Sequence, residues 1–218
     1  MDANAFLTST VQRIPTVGEW LFAGAKLLLG IALVSGVVPL VPSSWPTVRG
    51  WVGMAGLIFV LHFGSFHLLS CAWRSAGVEA RPLMHWPILA RSLTEFWGQR
   101  WNTAFRDLTH RFLFRPLASR LGPRVGLATG FLASGLVHDL VISVPAGGGY
   151  GLPTAYFVLQ GVGLLVERSA TRRAMEIGRR WPGRIFTALV VIGPACLLFS
   201  PIFVTRVVLP FLAALGVG

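Results

Sequence analysis

Five long apolar segments dominate the pattern of hydrophobic and polar positions along the chain. Their approximate ranges are 20–41, 51–73, 125–144, 152–166 and 185–204. Because about 20 consecutive apolar residues span the hydrocarbon core of a bilayer, the pattern predicts five membrane-spanning helices. A last apolar piece, 207–217, is too short to cross. Pro194 and Pro201 predict a kink or break in the fifth segment.

Composition supports a location in the membrane. Hydrophobic residues make up 54% of the chain and charged residues only 12%, with a mean hydropathy of +0.67. A soluble domain carries about twice that charged fraction, and a disordered chain is poor in apolar residues. Both classes are therefore excluded. The first apolar segment is too long for a signal peptide and lacks a cleavage site, so we expect it to remain as an anchor.

The charged residues predict an orientation. The net charge is +11, and all but one of the 19 basic residues are arginine, a bias typical of bacteria. Sixteen of the 19 are Arg13 and the basic residues of the segments 74–124 and 168–184. These regions alternate with Arg-poor connections, so the positive-inside rule predicts a bacterial inner (plasma) membrane protein with cytoplasmic Arg-rich loops. Anionic lipid, and no nucleic acid, is the expected partner of these arginines.

Residues 86–117 are neither apolar enough to span nor polar enough to form a free loop. Apolar residues recur there at steps of three and four, which is typical of one helical face. They are Leu89, Leu93, Phe96, Trp97, Trp101, Phe105, Leu108 and Phe112. The opposite face is polar and contains Arg91, Glu95, Gln99, Asn102, Arg106 and His110. The pattern predicts one amphipathic helix in the membrane interface.

His138 lies about midway along the third predicted span and is followed by Asp139. Ionisable groups at that depth are costly and usually face a cavity or the bundle interior. Gly126, Gly130 and Ser134 precede His138 at four-residue steps. These small residues either let a neighbouring helix approach closely or leave a lumen leading to the imidazole. A histidine that only packs against a neighbouring helix is the alternative.

Three other features of the sequence involve polar residues in apolar segments. Asp139 lies about 100° round the helix from His138 and is expected to fix another helix or meet an arginine. Gln160 and Glu167 either line a cavity or join helices. His62 and His67 are five residues apart, whereas ligand pairs on one helical face need three or four, so no metal site is predicted.

Two motifs at a defined spacing resemble a known family. Residues 92–102 read SLTEFWGQRWN, and residues 134–138 read SGLVH, with His138 placed 36 residues after Asn102. This pair is similar to the signature of the wax synthase-like branch of the membrane-bound O-acyltransferase superfamily. The stretch 199–212 is similar to the carboxyl end of that family. The resemblance covers about residues 83–215.

The resemblance implies transfer of a fatty acyl group from acyl-coenzyme A to a long-chain alcohol or similar lipid hydroxyl. His138 and Asn102 match the family's active pair, with His138 as general base and Asn102 assisting. The substrate-binding candidates are Trp97, Arg100, Trp101, Arg106 and Ser134. Arg111 and Arg115 join these arginines as candidates for the phosphates of acyl-coenzyme A, which is expected as co-substrate with no bound cofactor. Anionic lipid explains these arginines equally well.

The sequence thus predicts an all-α multi-pass bundle of about five spans with an interfacial helix. Residues 1–82 form an amino-terminal hairpin of two spans, and residues 83–218 form the acyltransferase core. Family members usually have more spans, so this chain lacks part of the usual amino-terminal half, and a homo-oligomer could supply missing walls. The rival hypotheses are a non-catalytic membrane scaffold related to such enzymes and a small transporter using His138 as a proton-linked residue.

Overall fold

The computed structural model describes residues 14–169 and 180–217. In these ranges the chain is helical and contains no β-strand. The segments are α1 (Val17–Leu40), α2 (Pro46–Ser75), α3 (93–100), α4 (103–121), α5 (Pro123–Ala146), α6 (Leu152–Arg168), α7 (Trp181–Leu198) and α8 (Pro201–Ala214). The prediction of an all-α multi-pass membrane protein is confirmed. Arg13 and most of the second Arg-rich segment lie outside the described residues.

Four of the described helices, α1, α2, α5 and α7, are long and apolar enough to cross a membrane. At most 28% of the most apolar window of each is buried, so their outer faces require lipid. The pattern predicted about five. The fourth predicted span, 152–166, forms α6, which has 17 residues, is shorter than these four helices, and buries eight of its residues, including Gln160 and Glu167. These two polar side chains find partners inside the protein.

Proline interrupts the carboxyl-terminal helices where the sequence predicted. A turn at Gly193 and Pro194 breaks α7, and Pro201 is the first residue of α8. Proline suits a first helical position because its missing N–H would have no partner there. The Ser200 hydroxyl accepts a hydrogen bond from the Phe203 N–H at 3.3 Å and caps the new helix.

The chain folds into two compact units, residues 1–84 with 208–218, and residues 85–207. The predicted boundary after residue 82 lies two residues from the first change of unit, and the structure groups the last eleven residues with the first unit. All of the chemistry that the motifs predict lies in the second unit.

In the first unit, α1 and α2 pack closely through glycine. A Cβ atom on Gly30 would lie 2.6 Å from the backbone nitrogen of Val60 and 2.7 Å from the carbonyl oxygen of Gly56. Any larger residue at position 30 would therefore force the two helices apart. Close backbone approach through small residues is a common way to join helices in lipid, where burial of apolar surface gives no driving force.

A polar cluster joins the same two helices. Lys26 Nζ lies 2.6 Å from His67 Nδ1. The other ring nitrogen, Nε2, is 3.1 Å from Glu19 Oε1, which also pairs with Arg74. Cys71 Sγ lies beside this group. The charges of Lys26 and Arg74 disfavour a metal ion there, and the cluster serves to hold α1 against α2.

The predicted single amphipathic helix over residues 86–117 was wrong. The structure has two helices, α3 and α4, separated at Trp101 and Asn102. The break arises because Asn102 adopts a left-handed conformation with φ +40°, and its side chain caps α4. Asparagine tolerates this conformation and is a preferred helix cap. Ser92 caps α3 in the same way, with its Oγ accepting from the Glu95 N–H at 3.0 Å.

Candidate active site

A cavity of about 490 Å³ lies inside the second unit, between α3, α4, α5 and α6. Aromatic side chains form much of its wall. They are Trp97, Trp101, Phe105, Phe114, Phe131 and Phe157. Asn102, Arg106, Ser134, His138 and Arg168 supply polar groups to the same wall. An apolar cavity with a few convergent polar side chains is the usual form of a binding or active site.

His138 is the last residue of the regular part of α5, and its ring lines the cavity. Its Nδ1 lies 2.7 Å from the Ser134 carbonyl oxygen. Because a carbonyl oxygen only accepts, Nδ1 must carry the proton, and in the neutral ring Nε2 then has the free lone pair. The ring centroid lies 4.3 Å from that of Phe157, which fixes the ring plane. The arrangement presents one tautomer suited to accept a proton at Nε2.

Asn102 lines the same cavity and lies at the junction of α3 and α4. Its Oδ1 accepts a hydrogen bond from the Phe105 N–H at 3.2 Å. This bond orients the carboxamide and satisfies one amide at the start of α4. The family resemblance implies that His138 and Asn102 act together. The structure brings both side chains to one cavity, while their catalytic roles remain predictions.

Glu95 and Arg100 form an ion pair within α3, and neither residue lines the cavity. Glu95 Oε1 accepts from Arg100 Nε at 2.7 Å, and Oε2 accepts from the Arg91 N–H at 2.8 Å. Burial raises the pKa of this carboxyl, but the bonds from Arg91 and Arg100 outweigh burial and hold the pKa below its usual value. Arg100 also donates to the carbonyls of His85 and Trp86 at 3.1 Å each.

This ion pair predicts a pH-dependent stability. A carboxyl whose pKa is lowered by folding stabilises the folded state above its ordinary pKa of about 4.3. That stabilisation is lost as the pH falls through the lower folded-state value. Wild type should therefore melt at a higher temperature than Glu95→Gln at pH 7, and the difference should shrink towards zero below about pH 4. A difference that persists unchanged to pH 3 would contradict the ion pair.

Glu167 is a residue of this site whose role the sequence left open. It is fully buried and accepts three hydrogen bonds from the first turn of α3. The Leu93 N–H donates at 2.5 Å, the Thr94 N–H at 3.2 Å and the Thr94 hydroxyl at 2.6 Å. A carboxylate at a helix amino terminus satisfies unpaired amides and favours the helix dipole. Glu167 therefore joins α6 to the motif helix.

Replacing Glu167 by alanine should destabilise the second unit strongly. Two backbone amides and one hydroxyl would lose their partner, and each unsatisfied buried donor costs roughly 1–3 kcal/mol. We expect the free energy of unfolding in mixed micelles to fall by about 3 kcal/mol. The matched control is Glu79→Ala, because Glu79 pairs with Arg81 at the exposed surface. That variant should stay within about 0.5 kcal/mol of wild type. Equal effects of both variants would contradict the assignment.

Two further polar residues of α5 and α6 position helices. Gln160 is fully buried; its Oε1 accepts from Trp97 Nε1 at 3.3 Å, and its Nε2 donates to the Val190 carbonyl at 2.7 Å. Asp139 accepts from the Gly151 N–H at 2.8 Å and from the Thr154 N–H at 3.1 Å. Asp139 thus caps α6, which confirms the expectation that it fixes another helix. It is not paired with His138.

The predicted substrate-binding residues separate into two groups. Trp97, Trp101, Arg106 and Ser134 line the cavity. Arg100 does not, because its guanidinium is engaged by Glu95 and two carbonyls. Arg111 and Arg115 are likewise absent from the cavity wall. Arg106 reaches the wall while its Nη1 donates to the Gly98 carbonyl at 2.5 Å.

Two ionisable residues of the cavity wall were not among the predicted site residues. Arg168 lies at the end of α6, and His110 lies within α4. The helical pattern had placed His110 on the polar face of the predicted interfacial helix, which was the available signal. Nothing in the pattern of the segment 152–166 indicated that the residue following Glu167 would reach the motif residues, because that contact depends on how α6 packs.

Comparison with known protein families identifies the same segment of the chain. Residues 80–159 match the sequence model described as the membrane bound O-acyl transferase family. The matched range contains both motifs, with Asn102 and His138 inside it. The predicted resemblance to this superfamily and its wax synthase-like branch is confirmed.

The relatives are plant enzymes by name. Probable long-chain-alcohol O-fatty-acyltransferase 7 of Arabidopsis thaliana is 31% identical over 143 residues, which cover 57% of this chain and 40% of the relative. Number 9 of the same series is 32% identical over 142 residues, covering 59% and 41%. Acyl-CoA--sterol O-acyltransferase 1 is 37% identical over 73 residues, covering 30% and 21%. The chain thus matches about two fifths of the length of the long-chain-alcohol relatives.

Proposed function

We propose that this protein transfers a fatty acyl group from acyl-coenzyme A to the hydroxyl of a long-chain alcohol or similar lipid. The observation that carries the proposal is that His138 and Asn102, from motifs 36 residues apart, line one aromatic cavity. The names of the relatives support both a linear alcohol and a sterol as acceptor class. The aromatic wall suits the apolar part of either substrate.

His138 acts as the general base in this proposal. Nε2 accepts the proton of the acceptor hydroxyl, and the oxygen attacks the thioester carbonyl carbon. The C–O bond forms, and a tetrahedral oxyanion results. When that oxyanion collapses, the C–S bond breaks and the proton on Nε2 neutralises the leaving thiolate. The ester and free coenzyme A are the products. General acid–base catalysis of this kind contributes about 10²–10⁴-fold to a rate.

Asn102 assists from the wall of the same cavity. Its Oδ1 accepts a hydrogen bond from the Phe105 N–H, which orients the carboxamide. It either stabilises the developing oxyanion or holds the acceptor hydroxyl. Removing a donor to an oxyanion typically costs about 10²–10³ in rate, because the site excludes water and the donor is already oriented.

The phosphates of acyl-coenzyme A require cationic partners. Among the arginines that the sequence suggested, Arg106 is the one on the cavity wall, and Arg168 lines the same cavity. Guanidinium groups bind phosphate through charge-assisted hydrogen bonds. Arg106 and Arg168 are therefore the candidate pair for the donor phosphates. A cytoplasmic position of the Arg-rich segments, and an inner bacterial membrane, would place the pair on the side where acyl-coenzyme A is found.

Ester formation in isolated membranes tests the proposal. Membranes that contain the protein should form labelled ester from labelled hexadecanoyl-coenzyme A and hexadecanol, above the level of membranes from cells without it. Cholesterol in place of hexadecanol tests the sterol class. No turnover with alcohol, sterol or glycerolipid acceptors would contradict the proposal and favour the non-catalytic scaffold.

A further inference from the structure

The cavity extends along α5 away from His138. Gly126, Gly130, Ser134 and His138 all belong to its wall. At a rise of 1.5 Å per residue, Gly130 lies about 12 Å from His138 along the helix axis. On α6, Phe157 lies beside His138, whereas Leu164 comes seven residues later. The cavity is therefore elongated, with the imidazole towards one end.

The part of the cavity beside Gly130 has a largely apolar wall. Leu127 and Leu164 are almost fully buried and form one cluster, against which Trp97, Phe114 and Phe131 pack. The guanidinium-bearing Arg168 follows Leu164 by one helical turn, farther from His138. A polar ligand group held against the apolar cluster would lose its hydrogen bonds to water. An unbranched alkyl chain suits it, because burial of each methylene is favourable.

Three glycines of α5 differ in what surrounds them. A Cβ on Gly126 would lie 3.0 Å from the Phe114 carbonyl oxygen, and a Cβ on Gly135 would lie 2.7 Å from Thr154 Cα. Both positions serve close packing of helices. At Gly130, by contrast, no atom lies within 4 Å of an added Cβ. Because Gly130 also lines the cavity, the space beside it is part of the cavity volume.

We propose that Gly130 is a specificity-determining residue that lets the cavity accept long unbranched alkyl chains past a point about 12 Å from His138. The inference rests on the proposed function for the identity of the chain, which belongs to either the acyl donor or the alcohol acceptor. A side chain at position 130 would close the remote part of the cavity. Short chains would still reach His138, and long chains would not.

Substitution at Gly130 tests the proposal kinetically. Gly130→Leu is compared with Gly24→Leu, because Gly24 is also helical and has no atom within 4 Å of an added Cβ but lies on α1, outside the cavity. The first series compares decanoyl-coenzyme A with hexadecanoyl-coenzyme A as donor, with decanol as the acceptor. The second series compares decanol with hexadecanol as acceptor, with decanoyl-coenzyme A as the donor. In one series, Gly130→Leu should lower the hexadecyl-to-decyl ratio of kcat/KM about tenfold. Gly24→Leu should leave both ratios unchanged.

The series in which the ratio falls identifies the chain that passes Gly130. Gly130→Ala provides a smaller change in the same direction if the leucine variant does not accumulate in membranes. Unchanged ratios in both series, or an equal loss at both chain lengths, would overturn the proposal, since position 130 would then not distinguish chain length.

A binding measurement separates this proposal from the proposed function. Hexadecanol and hexadecanoyl-coenzyme A, each carrying a terminal photoreactive diazirine, are cross-linked to the protein in membranes and mapped by mass spectrometry. One of them should label residues 126–131, and Gly130→Leu should reduce that labelling about tenfold while Gly24→Leu should not. Labelling without any turnover would contradict only the proposed reaction. Absence of labelling there, or labelling insensitive to Gly130→Leu, would overturn the chain assignment.

Discussion

Replacing His138 by alanine is expected to lower ester formation at least about a hundredfold, because no other group that can accept the hydroxyl proton would remain at that point of the cavity wall. The rate is measured with labelled hexadecanoyl-coenzyme A and hexadecanol in membranes. Alanine leaves the Ser134 carbonyl oxygen without the Nδ1–H, a local loss within one helix. We therefore expect the variant to accumulate in membranes as wild type does.

His62→Ala is the matched control for this variant. His62 is also a half-buried histidine within a membrane-spanning helix, but it lies on α2 in the first unit and not on the cavity wall. Its replacement should leave turnover close to that of wild type. If His138→Ala retained full activity, or if both variants lost activity equally, His138 would not be the base.

Replacing Asn102 by aspartate has the second largest expected effect. Aspartate tolerates the left-handed backbone at φ +40° and caps a helix as well as asparagine does. It therefore keeps the junction of α3 and α4 and removes only the amide donor, adding a negative charge. We expect kcat to fall about 10²–10³-fold, because a carboxylate near a developing oxyanion repels it. The melting temperature should stay near that of wild type.

Asn102→Gly separates the two contributions of this side chain. Glycine also adopts the left-handed backbone but offers neither the amide donor nor the cap. Turnover should fall as in the aspartate variant, and the loss of stability should be no more than a few tenths of a kcal/mol. Full activity in the glycine variant would exclude a role of the carboxamide in the reaction, whatever the aspartate variant showed.

Several features of this protein could be predicted from residues that are close together in the chain. The apolar segments identified a membrane protein, since their length and composition allow few alternatives to membrane helices. Pro194 and Pro201 broke the last helices because proline lacks the amide that a helix interior requires. The two motifs also indicated His138 and Asn102, which line one cavity. In each case the information lies in residues close together in the chain or in a spacing that the family shares.

The errors have a different origin. The apolar positions of residues 86–117 follow a helical period. Periodicity cannot reveal that one residue within the segment adopts a left-handed conformation. Asn102 breaks the helix because its carboxamide caps α4. For the fourth apolar segment, hydropathy did not indicate which residues of α6 have partners inside the protein. Gln160 and Glu167 bond to groups that only packing between helices brings to them.

The sequence by itself determined that the protein is helical and membrane-embedded, because that property follows from hydropathy, and its resemblance to a family indicated His138 and Asn102 as candidates for the chemistry. Only the tertiary structure decided the meaning of the small residues on α5. Gly126 packs against α4, whereas Gly130 faces open space in the cavity. Both glycines fit the same sequence pattern, and the difference depends on which helix lies opposite each one. That is fixed by three-dimensional packing between residues distant in the chain.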